Sequence, residues 1–551
     1  MSSMQSYALT LDKFIDHAAK WHGDVEIVTG GGQPSRTDYA GLRRDANRLS
    51  GALLALGLGE GDRLATLAWN SRAHLEIWYA AVGVGIVCHT LNPRLETRQI
   101  AAMINQAENR VLAFGAGLAP MVAEIVALCP TIRHVVALDD TGCELESTAA
   151  TLEQWTLGTL IGTKGEPAAW GAFEESSAAG LCFTSGTTGA PKGVLYTHRS
   201  SYLHTLRLLQ VDSLALGADD SVLAAVPMFH ANGWGIPFAT PAVGAKLVLP
   251  GRDASGGGLA RLIVEEQVTV AAGVPTVWLG LLDHLEATGQ ALPSLRRLFL
   301  GGAPLPHAVQ RRIEERLGVT VHTSWGMTEL SPLGTISSRG TSGTRPGSSG
   351  RPPIGLDLKL TDAEGRALPE QRDVEGHLKV KGQSVVERYF GHIEAATDAE
   401  GWFDTGDLAV IGHDGDLSIT GRAKDLIKSG GEWINPAEIE DIVGGIPGVA
   451  LAAVIGRVDD KWGERPLLII EPSAGPGIED AALLDALRGR IANWWLPNAI
   501  IRVERMPLAS TGKIDKIRLR AEFGVLRDSA SAADLVDAAP AQPENRGHDD
   551  D

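Results

Sequence analysis

Thr184-Ser185-Gly186-Thr187-Thr188-Gly189-Ala190-Pro191-Lys192-Gly193 follows directly on the short apolar run Gly180-Leu181-Cys182-Phe183. An apolar strand therefore empties into a loop of glycines and hydroxyls that ends in a lysine. The glycines let backbone N–H groups come close to a polyphosphate, the Ser and Thr hydroxyls supply further donors, and Lys192 adds positive charge. The spacing is not that of a P-loop, because two residues separate Gly189 from Lys192 and no Ser or Thr follows the lysine.

Upstream of this loop, residues 9–130 alternate helical and strand-like spacing. Leu11 to His22, Tyr39 to Leu56 and His74 to Val84 carry helical apolar periodicity, whereas GDRLATLAW and GIVCHTLNPR read as strands. Residues 140–178 are weaker in pattern. Downstream the alternation resumes to about residue 420, with ARLIVEEQ and HAVQRRIEERLG as helices and VTVAAGVP and LRRLFLGG as strands; 340–350 is a Gly/Ser/Thr surface loop. This predicts an α/β fold with largely parallel or mixed sheets. Residues 436–525 carry a smaller pattern of their own: PAEIEDIV, VALAAVIGR, PLLIIEP, LLDALRGRIANWW and IIRVERMP. The expected division is a large domain over 1–421, a hinge at 422–425, a small α+β domain over 426–525 and a disordered acidic tail over 526–551.

At 551 residues, with 44% hydrophobic and 21% charged side chains, the chain has a multidomain globular composition. A net charge of −18 repels phosphate backbones and argues against nucleic acid as a partner. The four cysteines (Cys88, Cys129, Cys143 and Cys182) have no CxxC spacing, which points to free thiols in a reducing cytoplasm rather than to zinc or disulfides. The N-terminal stretch lacks the pattern of a secretory signal, and no run of about 18 apolar residues marks a membrane span.

The 184–193 string resembles the phosphate-binding loop of the adenylate-forming superfamily of acyl-CoA synthetases, peptide-synthetase adenylation domains and luciferases. Further blocks follow in that family's order: Pro227-Met228-Phe229-His230, Gly301-Gly302-Ala303-Pro304, Ser324-Trp325-Gly326-Met327-Thr328-Glu329 after Thr323, Trp402-Phe403-Asp404-Thr405-Gly406-Asp407, Gly421-Arg422-Ala423-Lys424-Asp425 and Thr511-Gly512-Lys513. One departure is Gly376-His377-Leu378, where many members have Gly-Glu-Leu.

The resemblance implies a large domain with a small β-barrel-like subdomain and a mobile α+β C-terminal domain. It also implies a carboxylic acid, ATP, CoA and Mg²⁺ as reactants and cofactor, and suggests a homodimer. Glu329 is similar to the magnesium-binding glutamate and Thr184 to a hydroxyl that shares the metal. Trp325 stands where the family usually has Tyr, as a flat surface for adenine. Asp407 resembles the carboxylate that holds the ribose hydroxyls, with Arg422 as its cationic helper. Lys513 resembles the lysine that bonds carboxylate and α-phosphate during adenylation, a role suited to a point charge on a long stem. Lys424 falls at the hinge. There a swivel would withdraw Lys513 and bring in Lys428-Ser429-Gly430-Gly431-Glu432-Trp433 for thioester formation, the two glycines leaving room for a pantetheine arm. The stretch KSGGEWINPAEIE is similar to the medium- and long-chain fatty-acid branch, in which Trp433 lies near the nucleotide and Trp234 gates the acyl tunnel. His230, Ala231, Gly302 and Thr276, with Gly273 and Trp278, are the remaining expected walls, and Gly233 and Gly235 leave space. An arylalkanoic or sulfur-containing short acid stays open as substrate, as does delivery to a carrier protein. Intact Lys513, Glu329, Asp407 and Thr184 argue against a silent scaffold.

Overall fold

The computed structural model describes residues 4–31, 34–115, 117–139, 145, 152–184, 191–303, 305–337, 347–473, 477–509 and 512–525. Two large sheets dominate the first 340 residues. One runs Leu333–Ile336, Thr320–Gly326, Arg297–Leu300, Val270–Gly273, Ser221–Ala224, Lys246–Leu249, Glu26–Thr29 and Ser35–Asp38, parallel except at its two edge strands. The other runs Glu153–Thr156, His134–Ala137, Val111–Phe114, Arg63–Leu67, Val87–Leu91, Ala178–Phe183 and Gly193–Thr197, parallel except for the final pair. The central strands are buried along their whole length, as expected where helices cover both faces. Asp38, Ser71, Thr197 and Ser255 each cap the N-terminus of a following helix with a side-chain oxygen.

The largest apolar core packs the helices Asp12–Trp21, Tyr39–Ala55, Arg72–Gly83 and Ile236–Val243 between the two sheets. Both sheets thus share one interior, and Asn70, just past the strand Arg63–Leu67, bonds Ala224, Val226 and Met228 at the end of Ser221–Ala224, so C-terminal strand ends of the two sheets meet where α/β folds present their ligand sites.

The expected α/β alternation up to residue 420 stops at Ile336. Leu356–Thr361, Glu375–Gly382, Phe403–Ile411 and Leu417–Arg422 form a four-stranded antiparallel sheet with no intervening helix. The reason lies in the period: Glu375–Gly382 alternates exposed and buried side chains, the signature of a sheet with one wet face. In the weakly patterned 140–178 region, Glu153–Thr156 adds an edge strand and Leu157–Lys164 a helix capped by Thr156. A 3₁₀ turn at Ala423–Asp425 separates the four-stranded sheet from a five-stranded one that begins at Ile427. In that last sheet Val449–Asp459 and Gly463–Pro472 form the long hairpin, flanked by the helices Pro436–Gly444 and Lys516–Phe523. Cys88, Cys129 and Cys182 are buried free thiols; Cys143, most of the 340–350 loop and the 526–551 tail lie outside the described residues. Among the described residues no helix is long and apolar enough to cross a membrane.

Candidate active site

The glycine-rich loop leaves the strand Ala178–Phe183 and re-enters at Gly193–Thr197, with Phe183 paired to Gly193. Its ends are clasped: Thr184 N–H donates to the Lys192 carbonyl at 2.9 Å, and Lys192 N–H donates to Thr184 Oγ1 at 3.3 Å. The side chain of Lys192 reaches back over the ring of Tyr389, with Nζ 4.8 Å from the centroid. Ser185, Gly186, Thr187, Thr188 and Gly189 lie outside the described residues.

Glu329 occupies the 3₁₀ turn Thr328–Leu330 just beyond the strand Thr320–Gly326. It is only 8% exposed, and its Oε1 accepts a hydrogen bond from the Tyr389 hydroxyl at 2.9 Å. Its backbone is fixed on both sides. Val386 N–H donates to the Glu329 carbonyl at 2.8 Å, and the Tyr196 hydroxyl donates to the Thr328 carbonyl at 2.7 Å. The buried Glu329 carboxylate and the Thr184 hydroxyl are hard-oxygen donors, which suit a magnesium ion that keeps its waters and the substrate phosphates. Among the described residues no group of three or more His, Cys, Asp and Glu could hold a metal by itself. The oxygen donors of Glu329 and Thr184 fit the chemistry of a magnesium ion whose other ligands are waters and phosphates.

A second cluster gathers around Asp407, which is 2% exposed on the strand Phe403–Ile411. Trp325 Nε1 donates to its Oδ2 at 2.9 Å, and Arg422 Nε pairs with Oδ1 at 2.6 Å. Burial raises the carboxyl pKa, while Arg422, the Trp325 N–H and Lys513 oppose the rise. Trp325 is 8% exposed and covers Gly334 so closely that a Cβ there would lie 2.3 Å from the indole ring. Sequence reasoning assigned this tryptophan a stacking face; the structure adds a hydrogen bond to the carboxylate.

Lys513 comes to the same place from the other domain. Its side chain is exposed, on the loop that leads into the helix Lys516–Phe523. Burial and Arg422 lower its pKa; Asp407 and Glu329 pull it back up, and Lys424 adds to the depression. The neighbouring Gly512 has φ +81°, and a Cβ on it would sit 3.1 Å from Thr276 Oγ1 and 3.6 Å from Val274 Cγ2. Thus Glu329, Asp407, Arg422, Lys424 and Lys513, spread over 185 residues of sequence (513 less 329, both ends counted), share one electrostatic neighbourhood. Burial also lowers the Lys424 pKa, partly offset by Asp425.

The expected acid wall is built on an unusual backbone. Ala231, Asn232, Gly233, Trp234 and Gly235 all have positive φ, between +30° and +72°, directly after His230. Each non-glycine residue in that left-handed region costs about 1–2 kcal/mol, least for Asn. The anchor below is Asn70, which donates to the Ala224 and Val226 carbonyls and accepts from Met228 N–H. The left-handed turn throws Trp234 onto the glycines opposite: Cβ atoms built on Gly301 and Gly302 would lie 3.2 and 3.7 Å from its indole. Ser324 donates to the Leu300 carbonyl and Thr323 Oγ1 to the Ser348 carbonyl, which holds the strand that leads to Trp325. Ala303, Gly326 and Met327 line the same strand ends, half-buried; Pro304 is outside the described residues. Trp278 is fully buried against Gly273, as a core side chain behind the wall.

The structure does not bring Lys428, Gly430, Gly431 and Trp433 into this cluster. They form a hairpin on the small domain in which Trp433 is 53% exposed under Lys428, and Gly430 packs on Trp462. Tyr389, Tyr196 and Asn70 were missed by sequence reasoning. The aromatic pair in Arg388-Tyr389-Phe390-Gly391 is the one local signal that could have pointed to the first of them.

Residues 14–390 match the family model described as AMP-binding enzyme, and 438–513 match the AMP-binding enzyme C-terminal domain. A 3-methylmercaptopropionyl-CoA ligase of Ruegeria lacuscaerulensis is 42% identical over 95% of this chain and 99% of its own length. A medium-chain-fatty-acid–CoA ligase of Ectopseudomonas oleovorans is 40% identical over 97% of this chain and 100% of its own. Among solved structures, ATP-bound MatB from Rhodopseudomonas palustris superposes with a TM-score of 0.81 at 27% identity, covering 94% of this chain and 99% of that one.

Proposed function

We propose a reaction for this chain on one premise: it belongs to the AMP-binding enzyme family. It is an AMP-forming acid–thiol ligase. A carboxylate oxygen attacks the α-phosphorus of ATP as the bond to pyrophosphate breaks, giving an acyl-adenylate. The sulfur of CoA then attacks the acyl carbon and AMP leaves. The convergence of Lys513 from the small domain on Asp407 and Glu329 of the large one, and on Arg422 at the hinge, carries this reading. The acid and the α-phosphate repel each other, so a preorganised cation at the point of attack contributes to the rate. Magnesium, when bound, would neutralise phosphate oxygens beside Glu329 and Thr184. Asp407 accepts from the ribose hydroxyls, and Trp234 closes the acid pocket against water.

The placement of the 428–433 hairpin outside the cluster supports two working positions of the small domain, with a swivel at 422–425. Lys513 serves the first half-reaction, and the hairpin, after rotation, serves the second. The acid is a medium- or long-chain fatty acid. A short thioether acid is the second reading, favoured by the 42% identity to a methylmercaptopropionyl-CoA ligase. ATP–pyrophosphate exchange across acetate to palmitate, 3-methylmercaptopropionate and phenylacetate tests the class. Exchange with none of them overturns it, and acyl-CoA detected by mass spectrometry separates CoA from a carrier protein as acceptor.

A further inference from the structure

The segment Val386–Phe390 runs as a strap between the two phosphate-facing elements. At one end Val386 N–H donates to the Glu329 carbonyl at 2.8 Å; at the other Phe390 N–H donates to the Gly193 carbonyl at 2.8 Å. Phe390 lies tight on Gly193, where an added Cβ would meet the Phe390 Cβ at 3.0 Å. Between these two anchors stands Tyr389. Its hydroxyl donates to Glu329 Oε1 at 2.9 Å, and its ring face carries the Lys192 ammonium at 4.8 Å.

We propose that Tyr389 is a positioning residue that holds the Glu329 carboxylate and the Lys192 ammonium in register for a single metal-bound triphosphate. The inference rests on the ligase reading above. One side chain thereby sets the distance between the anionic metal holder and the cationic phosphate holder, which come from separate elements 137 residues apart (329 less 192). The hydroxyl occupies one lone pair of Oε1 and leaves the remaining carboxylate directions for the metal, an outer partner of the kind that orients metal ligands. The ring offers Lys192 a seat within the roughly 6 Å reach of a cation–π contact, which the phosphates can compete away.

Tyr389→Phe separates the two functions, because it deletes the hydroxyl and keeps the ring; Tyr389→Leu deletes both. Mn²⁺ binding to full-length protein, read by electron paramagnetic resonance with the α,β-methylene analogue of ATP, reports the metal directly. Calorimetric binding of the analogue without metal reports the Lys192 side. Y389F is expected to weaken Mn²⁺ binding about tenfold and to leave metal-free analogue affinity within about twofold; Y389L weakens both. Glu329→Gln and the double variant E329Q/Y389F close a cycle in which the phenylalanine adds nothing further once the carboxylate is gone. Mn²⁺ affinity of Y389F within about twofold of the parent, or a fully additive double variant, overturns the proposal. If the parent protein exchanges pyrophosphate with no acid, the ligase reading itself fails, which is a distinct result.

Discussion

The Trp325 indole N–H and the Arg422 guanidinium take opposite oxygens of Asp407, at 2.9 and 2.6 Å, so the carboxylate enters the reaction already oriented. Removing the indole donor while keeping an aromatic face tests that orientation. A hydrogen bond to a charged group contributes about 1.5–3 kcal/mol, so Trp325→Phe should raise the KM for ATP by roughly tenfold or more and leave the KM for the acid unchanged. Initial-rate exchange assays with each substrate varied in turn measure both, and an equal rise in the two would refute a nucleotide-specific role.

Lys513→Ala should abolish adenylation while CoA transfer from supplied acyl-adenylate survives. Equal loss of both half-reactions would overturn the division of labour between Lys513 and the hairpin.

The same lysine carries a pH signature. Its pKa is lowered by burial and Arg422, so charge leaves it at a lower pH than from an ordinary lysine, and adenylation should fall on the alkaline side before a free lysine would titrate. Lys513→Arg should move that limb to higher pH. For stability the sign is opposite: a depressed folded-state pKa disfavours the fold while the lysine is charged, and the penalty fades as pH rises through the folded value toward the unfolded one, about 10.4. K513A should therefore melt slightly higher than the parent at neutral pH, with the difference shrinking in alkaline buffer. A melting temperature that drops at neutral pH would contradict this account.

Gly512→Ala places a Cβ at φ +81° and 3.1 Å from Thr276 Oγ1. Strain of about 1–2 kcal/mol in the left-handed region adds to the close approach to Thr276 of the large domain, which the proposed swivel would undo. Adenylation should slow by roughly tenfold, and thioester formation from preformed acyl-adenylate should be spared. Single-turnover measurements of each half-reaction decide it.

Trp234→Ala removes the indole that lies against Gly301 and Gly302. The ratio of kcat/KM for a long acid to that for a short one should rise by about tenfold, the scale of a methylene or two in an apolar pocket. A uniform loss across chain lengths would make Trp234 a structural prop.

Much of the chemistry was legible in the residues because each block keeps its reactive side chains within a few positions. Thr184 with Lys192 in one loop is of this kind, whereas Asp407 and Arg422 stand in separate blocks and meet across neighbouring strands. What stayed hidden are contacts that exist only through folding. Tyr389, with only its neighbour Phe390 as a local hint, meets Glu329 across 60 residues, and Tyr196 meets Thr328 across 132 as a lone aromatic in its strand. The helical period likewise gave no warning that alternation would cease after Ile336, since the short runs in 356–422 are too mixed to classify until their pairing is seen. The helix Asp480–Leu487 ends ahead of Gly489, at φ +74°, a stop signal that sits inside the run LLDALRGRIANWW.

The left-handed stretch Ala231–Gly235 bears on redesign of the acid preference. A backbone coiled against the natural hand of L-residues offers few sites where a bulkier or branched side chain can be inserted without unwinding the coil itself. The facing glycines are no easier entry, because Gly302 itself has φ +83° and a Cβ on Gly301 would lie 2.3 Å from Ser324 Oγ, so selectivity at this wall is more readily changed by trimming the Trp234 indole than by adding bulk.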